Sequence, residues 1–404
     1  MTIAIGSSAT VAKALEPIVP IRRRGKQDVI PVGILHSLSG VMAISEKSVV
    51  DAELLAIKEI NQAGGLLGRQ IMPQIEDGAS DWVVFRERLE FLTRSQVVTV
   101  FGGWTSASRK SMLPTLEETG RLLWYPLTYE GQECSQNIMY TGLVPSQFVK
   151  PVVDWLIKTY PDKPFCLVGS DYVFPRVIGA MVRAELQRRN VPILMEDYIP
   201  LGSFESARDL VTELRRLTSK GAVIFSTLNG DSNIPFFKDL NRFGLSPDRY
   251  PVVSTSISEE EVPPISVEYL KGTYAIASYF QTVNQPASQK LVKAIKREYG
   301  EMRVVNDAMA AAYTAVYLWK MAVEKAGTAT DLNQVVAAAR GLTWDAPTGR
   351  IEVAKNQHLS QPVRIGKVRS DGLFDIVFES GAIAPEPWNQ DVKYTEMKGC
   401  DWIE

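Results

Sequence analysis

The sequence predicts an α/β protein built on parallel sheets. Short apolar runs such as 29–35 alternate with segments of helical spacing such as 48–61 over both halves of the chain, as strand–helix units do. Loops rich in Ser, Gly and aromatic residues follow the runs. The alternation breaks at the Gly- and Pro-containing segment 141–146 and then restarts. We therefore expect two α/β domains joined by crossing segments.

Length and charge limit the possible partners. The chain has 404 residues, more than one hydrophobic core usually serves, so we expect two domains of roughly 150 to 200 residues each. Its 44 basic and 46 acidic residues nearly cancel, which gives no electrostatic reason to expect nucleic acid or an anionic membrane as partner. We expect a small ligand that is neutral rather than highly charged.

The lengths of the apolar runs and the first 28 residues indicate whether the chain could insert into a membrane or carry an export signal. No run approaches the roughly 20 apolar residues that span a bilayer, so we expect no direct membrane insertion. In segment 1–28 the basic residues Arg22, Arg23 and Arg24 follow the weakly apolar part, the reverse of a secretory signal. We expect this segment to be a poorly ordered leader.

Patterns typical of metal sites and catalysis are missing. Cys134, Cys166 and Cys400 show no C-x-x-C spacing, and we interpret each as a buried small hydrophobe. His36 and His358 lie far apart in the sequence and outside any zinc-binding pattern. There is no phosphate loop or nucleophile elbow, and the hydroxyl groups lack a histidine partner. We expect no metal, no cofactor and no enzymatic activity.

The clearest candidate for a ligand loop is segment 101–110, between the apolar run 97–100 and a helix that begins near Ser111. The first amide groups of a helix have no partner within it, so Ser106 and Ser108 can cap them, or a polar ligand can bind there. Trp104 adds a flat apolar wall. The alternative interpretation is that the serines only cap the helix and Trp104 only fills the core.

The other predicted strands also end in polar loops. In the first half they cover 70–76 and 122–126. The strand 122–126 is followed by segment 127–131, which is rich in aromatic and hydroxyl side chains. Ligands collect at the carboxyl edge of open parallel sheets, so we expect these loops to converge. The predicted strands of the second half cover 164–168, 193–199, 222–227, 251–254 and 274–280.

The last third of the chain has three further features. A second crossing is predicted near 281–286. The most apolar helix covers 308–325, and we interpret its aromatic stripe as core packing. Segments 349–353 and 363–378 alternate in polarity and contain Ser370-Asp371-Gly372, which predicts an antiparallel hairpin.

Six motifs resemble the urea-binding proteins of urea ABC transporters. They are ILHSLSGVMAISE at 34–46, EDGASDW at 76–82, WTSASRK at 104–110, YEG at 129–131, GSDYVFP at 169–175 and TLNGDSN at 227–233. The resemblance runs from about residue 29 to residue 378. A more distant likeness is to the cytoplasmic amide sensors that control aliphatic amidase expression. The chain departs from the usual urea-binder pattern at Gly103, commonly cysteine, and at Thr128, commonly glutamine.

The resemblance implies a type I periplasmic-binding-protein fold, with two doubly wound α/β lobes, three crossings and a ligand cleft between the lobes. The first lobe would combine 29–145 with 281–344, and the second 146–280 with 345–404. The ligand-binding positions that it implies, together with neighbours in the same loops, are Trp104, Thr105, Ser106, Tyr125, Thr128, Tyr129, Glu130, Asp171, Tyr172, Phe174, Asn229, Asp231 and Ser256.

The implied function is non-catalytic capture of urea or a short-chain aliphatic amide for an ABC importer, with the permease subunits as partners and a periplasmic location. Ser106 and Thr128 are expected to donate to the ligand carbonyl, and Asp171, Asp231 or Glu130 to accept from its amides. The alternative is a cytoplasmic amide or urea sensor that regulates amidase expression. The missing signal pattern favours it and the close match to the transporter motifs disfavours it. An amide hydrolase is the weakest of the three hypotheses.

Overall fold

The computed structural model describes residues 29–218, 220–389 and 391–392. The predicted leader 1–28 and Cys400 lie outside these ranges. The first lobe contains a five-stranded sheet in which every pairing is parallel, with the order β2-β1-β3-β4-β5. Its strands are β1 (Val29–His36), β2 (Gln70–Asp77), β3 (Thr99–Gly102), β4 (Leu122–Tyr125) and β5 (Ile138–Tyr140).

Helices from two parts of the chain cover this sheet. They are α1 (Ala43–Gln62), α2 (Trp82–Arg94), α3 (Ser106–Thr119), α10 (Pro286–Tyr299), α11 (Asp307–Ala326) and α12 (Leu332–Ala339). Helix α11 lies in the first-lobe core, and Trp319 packs edge-on against Phe101 of β3 with ring centroids 5.6 Å apart. The interpretation of its aromatic stripe as core packing is therefore confirmed.

The second lobe contains a larger mixed sheet. Strands β6 (Phe165–Ser170), β7 (Ile193–Ile199), β8 (Val223–Thr227), β9 (Val252–Ser254) and β10 (Tyr274–Ala277) pair in parallel. Strand β13 (Leu359–Val368) adds to β10 in antiparallel orientation and pairs with β14 (Phe374–Ile383), which confirms the predicted hairpin. Strands β11 (Thr343–Ala346) and β12 (Gly349–Val353) extend the sheet beyond β13. The helices are α4 (Pro145–Thr159), α5 (Val173–Arg188), α6 (Phe204–Leu217), α7 (Asn233–Arg242), α8 (Val262–Ile265) and α9 (Val267–Leu270).

The chain passes between the lobes three times. The first two passages lie between β5 and α4 and between β10 and α10, close to the predicted boundaries. The third runs along β13, because Val353 and Leu359 pack into the first-lobe core whereas Val363 and Ile365 pack into the second. The boundary at 344/345 stays a prediction, and the packing of Ala346 and Ile351 in the same core favours a boundary further along the chain.

Two further predictions concern cysteines and membrane helices. Cys166 is free and buried, as expected. Cys134 is disulfide-bonded, so its interpretation as a small hydrophobe is wrong; connectivity of this kind is not readable from spacing. Within the described ranges, no helix combines the length and the apolar character needed to cross a bilayer.

A buried cluster of ionisable side chains connects α1 to the end of β1. The His36 Nε2 atom lies 3.1 Å from a Glu53 oxygen, and its Nδ1 atom lies 3.4 Å from a Glu46 oxygen. Burial by itself would lower the pKa of His36, but the two carboxylates outweigh it and raise this pKa to about 9. His36 is therefore an imidazolium at neutral pH.

The raised pKa of His36 predicts a pH-dependent stability. The group binds its proton more tightly in the folded state, so its contribution is complete below about pH 6.5 and is lost as pH rises through about 9, on the order of 3 kcal/mol in total. In thermal melts across this window, the wild-type protein should lose stability more steeply than a His36→Gln variant. Equal slopes for the two proteins would contradict the charged state of His36.

Candidate functional site

A small cavity lies between the two lobes, at the carboxyl ends of strands from both sheets. Its volume is about 70 Å³. The first lobe contributes the loops after β3 and β4 and the start of α11, and the second lobe contributes β10 and the loops after β6, β8 and β9. The lining residues are Trp104, Ser106, Leu127, Thr128, Tyr172, Phe174, Asn229, Thr255, Ser256, Ile257, Ser258, Glu261, Ile276, Ala277, Asn306, Asp307 and Ala308.

The turn after β3 brings Trp104 and Ser106 to the cavity. Gly102 has a φ of 137°, and a Cβ atom there would lie 2.0 Å from the carbonyl oxygen of Leu35, so only glycine fits. Thr105 then caps α3 by accepting a hydrogen bond of 3.1 Å from the Ser108 amide. Because Thr105 performs the capping role expected of the serines, the Ser106 side chain is left for other contacts.

A buried ionic network fixes the Ser106 hydroxyl. It donates its hydrogen to the Glu130 carboxylate and accepts a bond of 3.1 Å from Arg109. Arg109 also binds Glu130 at 2.9 Å and Glu133 at 2.7 Å, and Lys110 lies 3.1 Å from Glu133. With its hydrogen and one lone pair used, Ser106 presents its second lone pair to the cavity, as a hydrogen-bond acceptor.

Charge compensation inside this network is visible in the pKa values. Burial opposes the charge on Arg109, but the two glutamates outweigh it and raise the Arg109 pKa. Burial likewise opposes ionisation of Glu133, yet Arg109 and Lys110 lower its pKa to about 2. Arg109 and Glu133 therefore stay ionised, although both side chains are almost completely buried.

Aromatic rings support the network from behind. The Arg109 guanidinium lies 4.4 Å from the ring centroid of Tyr129 and 5.0 Å from that of Tyr125. Tyr129 stacks on Tyr140 at 4.8 Å, and its hydroxyl lies 2.6 Å from His358 Nε2. Burial lowers the His358 pKa to about 3, so the ring is neutral and accepts the Tyr129 hydrogen. These rings hold Arg109 in place without touching the cavity.

The second lobe supplies an aromatic wall and polar groups. Tyr172 and Phe174 follow β6, and their ring centroids are 6.5 Å apart. The Asn229 amide nitrogen Nδ2 donates to the Thr227 carbonyl at 3.1 Å, which leaves the side-chain oxygen facing the cavity. Ser256 donates its hydrogen to the Leu228 carbonyl, so its oxygen also acts as an acceptor.

Two carboxylates at the cavity were not predicted. Glu261 accepts hydrogen bonds from Ser258 on one oxygen and, on the other, a bond of 2.6 Å from Ser45 of the opposite lobe. Asp307 accepts all of its described bonds on Oδ1, from the Ser278 amide and hydroxyl and from the Tyr279 amide at 2.6 to 3.1 Å, which leaves Oδ2 for a ligand. Burial raises the pKa of both acids.

A sequence signal was available for Asp307 and less so for Glu261. Asn306 and Asp307 directly precede the most apolar helix, where a cap and an acidic first turn are typical. Glu261 belongs to an acidic run that follows the predicted strand 251–254. The burial of its side chain depends on Ser45, which approaches from the other lobe. Sequence alone carries no such information.

Six of the predicted binding residues lie away from the cavity wall. Tyr125, Tyr129 and Glu130 belong to the buried layer behind Ser106, and Thr105 is the helix cap. Asp171 is exposed and forms an ion pair with Arg176 at 2.7 Å. Asp231 lies in the short 3₁₀ turn Gly230–Ser232 and does not line the cavity. The other seven predicted residues do line it.

The charge of the lining is one-sided. Glu261 and Asp307 are its ionisable acids, and among the described residues that face the cavity there is no lysine or arginine. The nearest cations of the first lobe, Arg109 and Lys110, are paired with glutamates behind Ser106. The cavity therefore offers hydrogen-bond acceptors and acidic groups, and its described lining holds no cation that could pair with an anion.

Comparison with known proteins places this geometry in a family. The family model described as "Periplasmic binding protein domain" matches residues 30–394. The Leu/Ile/Val-binding protein homolog 3 of Brucella melitensis is 22% identical over 344 residues, which cover 82% of this chain and 89% of that protein. A limonene hydroxylase of Geobacillus stearothermophilus is 34% identical over 113 residues, but these cover 28% of this chain and only 21% of that enzyme. So short a match carries no activity over to this chain.

Solved structures show the same fold. A solute-binding protein of an ABC transporter from Rhodopseudomonas palustris HaA2, in complex with p-hydroxybenzoic acid, has a TM-score of 0.78 at 20% identity and covers 89% of this chain and 99% of its own. The branched-chain amino acid transporter substrate-binding protein of Streptococcus pneumoniae, in complex with isoleucine, has a TM-score of 0.76 at 18% identity and covers 88% and 100%. Identity at this level establishes the fold alone.

The ionic network predicts unequal effects of its two cations. Arg109→Met leaves two buried carboxylates without their main partner and should lower the free energy of unfolding by about 3 to 5 kcal/mol. Lys110→Met is the matched control, because this side chain is 36% exposed and its loss should cost about 1 kcal/mol or less. Calorimetric melts of both variants measure the difference. Equal losses would contradict the central role of Arg109.

Proposed function

The chain belongs to the type I periplasmic binding protein family, and from this premise we propose that it captures urea or a short-chain aliphatic amide for an ABC importer. The observation that carries the proposal is a small interlobe cavity lined by acceptors and by no described lysine or arginine. Its partners are then the permease subunits of that importer.

Cavity size favours a ligand of very few atoms. Pockets for drug-sized ligands measure about 300 to 1,000 Å³, whereas this cavity measures about 70 Å³. Isoleucine and p-hydroxybenzoic acid, named with two structures of the same fold, are both much larger than urea or acetamide. The closed cavity fits the smaller molecules.

Charge gives an independent argument against those larger ligands. Both carry a carboxylate, which needs a cation or a group of N–H donors as its partner. The cavity presents the carboxylates of Glu261 and Asp307 instead. A like charge in such a buried site is strongly unfavourable, so the ligand is a molecule rich in N–H groups.

Hydrogen-bonding capacity matches a urea or amide group. The free lone pair of Ser106, Oδ2 of Asp307 and the side-chain oxygen of Asn229 accept N–H bonds. Thr128 accepts a bond of 3.4 Å from the Leu143 amide, so its own hydrogen is available for the ligand carbonyl. Ser106 is thus proposed as an acceptor rather than the donor expected from the sequence.

Two alternatives receive less support. A hydrolase needs an activated nucleophile, but the Ser106 hydrogen is directed at a carboxylate that Arg109 already neutralises, and His358 contacts Tyr129 instead. A cytoplasmic sensor would share the pocket. The disulfide at Cys134 favours the periplasm, since disulfides persist in oxidising compartments.

Ligand selectivity tests the proposal directly. Isothermal titration of the pure protein should show binding of urea or of acetamide or formamide, and none of leucine or p-hydroxybenzoate, because a carboxylate is repelled. No ammonia should be released during prolonged incubation with these amides. Binding of leucine in preference to every amide, or steady protein-dependent ammonia release, would contradict the proposal.

The role of Ser106 can be separated from that of its helix. Ser106→Ala removes an acceptor of a ligand N–H and should weaken binding by roughly 1 to 3 kcal/mol, about five- to more than a hundredfold in Kd. Ser108→Ala is the matched control: Ser108 lies in the same helical turn, is buried and donates to the Thr105 carbonyl, but does not line the cavity. Unchanged affinity in a folded Ser106→Ala protein would mean that the ligand lies elsewhere.

A further inference from the structure

We propose that the cavity also binds the guanidinium ion, held by Asp307 and Glu261 between aromatic faces. This ligand is a planar organic cation in which a third amino group replaces the urea oxygen. The proposal rests on the same cavity as the proposed function and extends it to a second, charged class of ligand.

The charge around the cavity is the first step. Asp307 and Glu261 face it, and buried Glu259 lies near both: burial raises the Glu259 pKa to about 8, and Asp307 and Glu261 add to the rise. The described cations on neighbouring elements have ion pairs of their own: Arg364 binds Glu379 at 2.9 Å, and Arg303 binds Asp51 at 2.7 Å and approaches Glu260 at 3.8 Å. Burial raises the Asp307 pKa and Arg364 opposes that rise only in part. A bound cation would therefore favour the ionised forms of both acids.

Hydrogen-bonding character is the second step. Guanidinium has N–H donors in every direction of its plane and no acceptor. The free lone pair of Ser106, Oδ2 of Asp307 and the side-chain oxygen of Asn229 are all acceptors, and they reach the cavity from both lobes. Their bonds to a cation are charge-assisted and stronger than their bonds to neutral urea.

The aromatic wall is the third step. Trp104 of the first lobe and Tyr172 and Phe174 of the second line the cavity together. Ring faces attract cations, and the attraction is stronger when the pair is removed from water. Guanidinium also has the same number of non-hydrogen atoms as urea and the same planar shape, so a cavity of about 70 Å³ that fits one fits the other.

Competition titration tests the inference. The full chain is titrated with urea and with guanidinium chloride at about 1 to 10 mM, far below denaturing concentrations, in buffers matched in ionic strength with sodium chloride. Guanidinium should bind with a stoichiometry of one and should displace urea. If urea binds and guanidinium neither binds nor displaces it, this inference is overturned while the proposed function stands. If neither binds, this inference is overturned, and the proposed function falls with it only if acetamide and formamide do not bind either.

A charge-removing variant tests the assigned residues. In the Asp307→Asn variant, the new amide N–H faces guanidinium, which has only hydrogen-bond donors. Urea, in contrast, can turn its carbonyl oxygen toward that N–H. Guanidinium affinity should therefore fall roughly tenfold to more than a hundredfold, and urea affinity less. Asp209→Asn, on the exposed face of α6, is the control and should change neither. Equal losses for both ligands in Asp307→Asn would overturn the role of the carboxylate.

Glu261→Gln provides the second variant in case Asp307→Asn disturbs the start of α11. Glutamine removes the charge and keeps one acceptor oxygen for Ser258; its amide NH2 group takes the place of the oxygen that accepts from Ser45, whose hydroxyl can accept a bond instead. Circular dichroism confirms folding before titration. Retained guanidinium affinity in a folded Glu261→Gln protein overturns its assignment as a ligand carboxylate, and selective loss of guanidinium supports it.

Discussion

The buried guanidinium of Arg109 is the constraint on which the first-lobe half of the site depends. A cation without solvent must be paired, and its partners Glu130 and Glu133 both come from the segment that follows β4. This segment is therefore drawn against the first turns of α3. The same carboxylate of Glu130 takes the Ser106 hydrogen, so ionic pairing decides what the serine offers to a ligand.

Much of the architecture and part of the site follow from local sequence patterns. The alternation of apolar runs and helical segments predicted two α/β lobes, and the Asp371-Gly372 turn predicted the β13–β14 hairpin. Trp104 and Phe174, two of the predicted binding residues, line the cavity because parallel strands bring their C-terminal loops to a shared edge. Such patterns depend on neighbours within a few residues, which sequence displays directly.

Contacts between residues far apart in the sequence explain the features of the site that the sequence alone does not predict. Asp171 and Asp231 are predicted ligand residues, whereas Glu261 and Asp307, which line the cavity, are not. The difference lies in their partners: Asp171 finds Arg176 at the surface, whereas Glu261 meets Ser45 across the cleft. The packing of Leu359 in the first-lobe core is of the same kind, because it depends on contacts with residues far away in the sequence.

The acids also connect ligand binding to lobe closure. Ser45 of the first lobe donates to Glu261 of the second, and Asn306 of the first donates to Ser258 at 3.0 Å, so these bonds exist only when the lobes meet. Closure removes water from Glu261 and Asp307, which disfavours their charged forms. Under the proposed function, an N–H-rich ligand would offset that cost by donating hydrogen bonds in place of the lost water. Such a ligand would then stabilise the closed state through the same acids that select it.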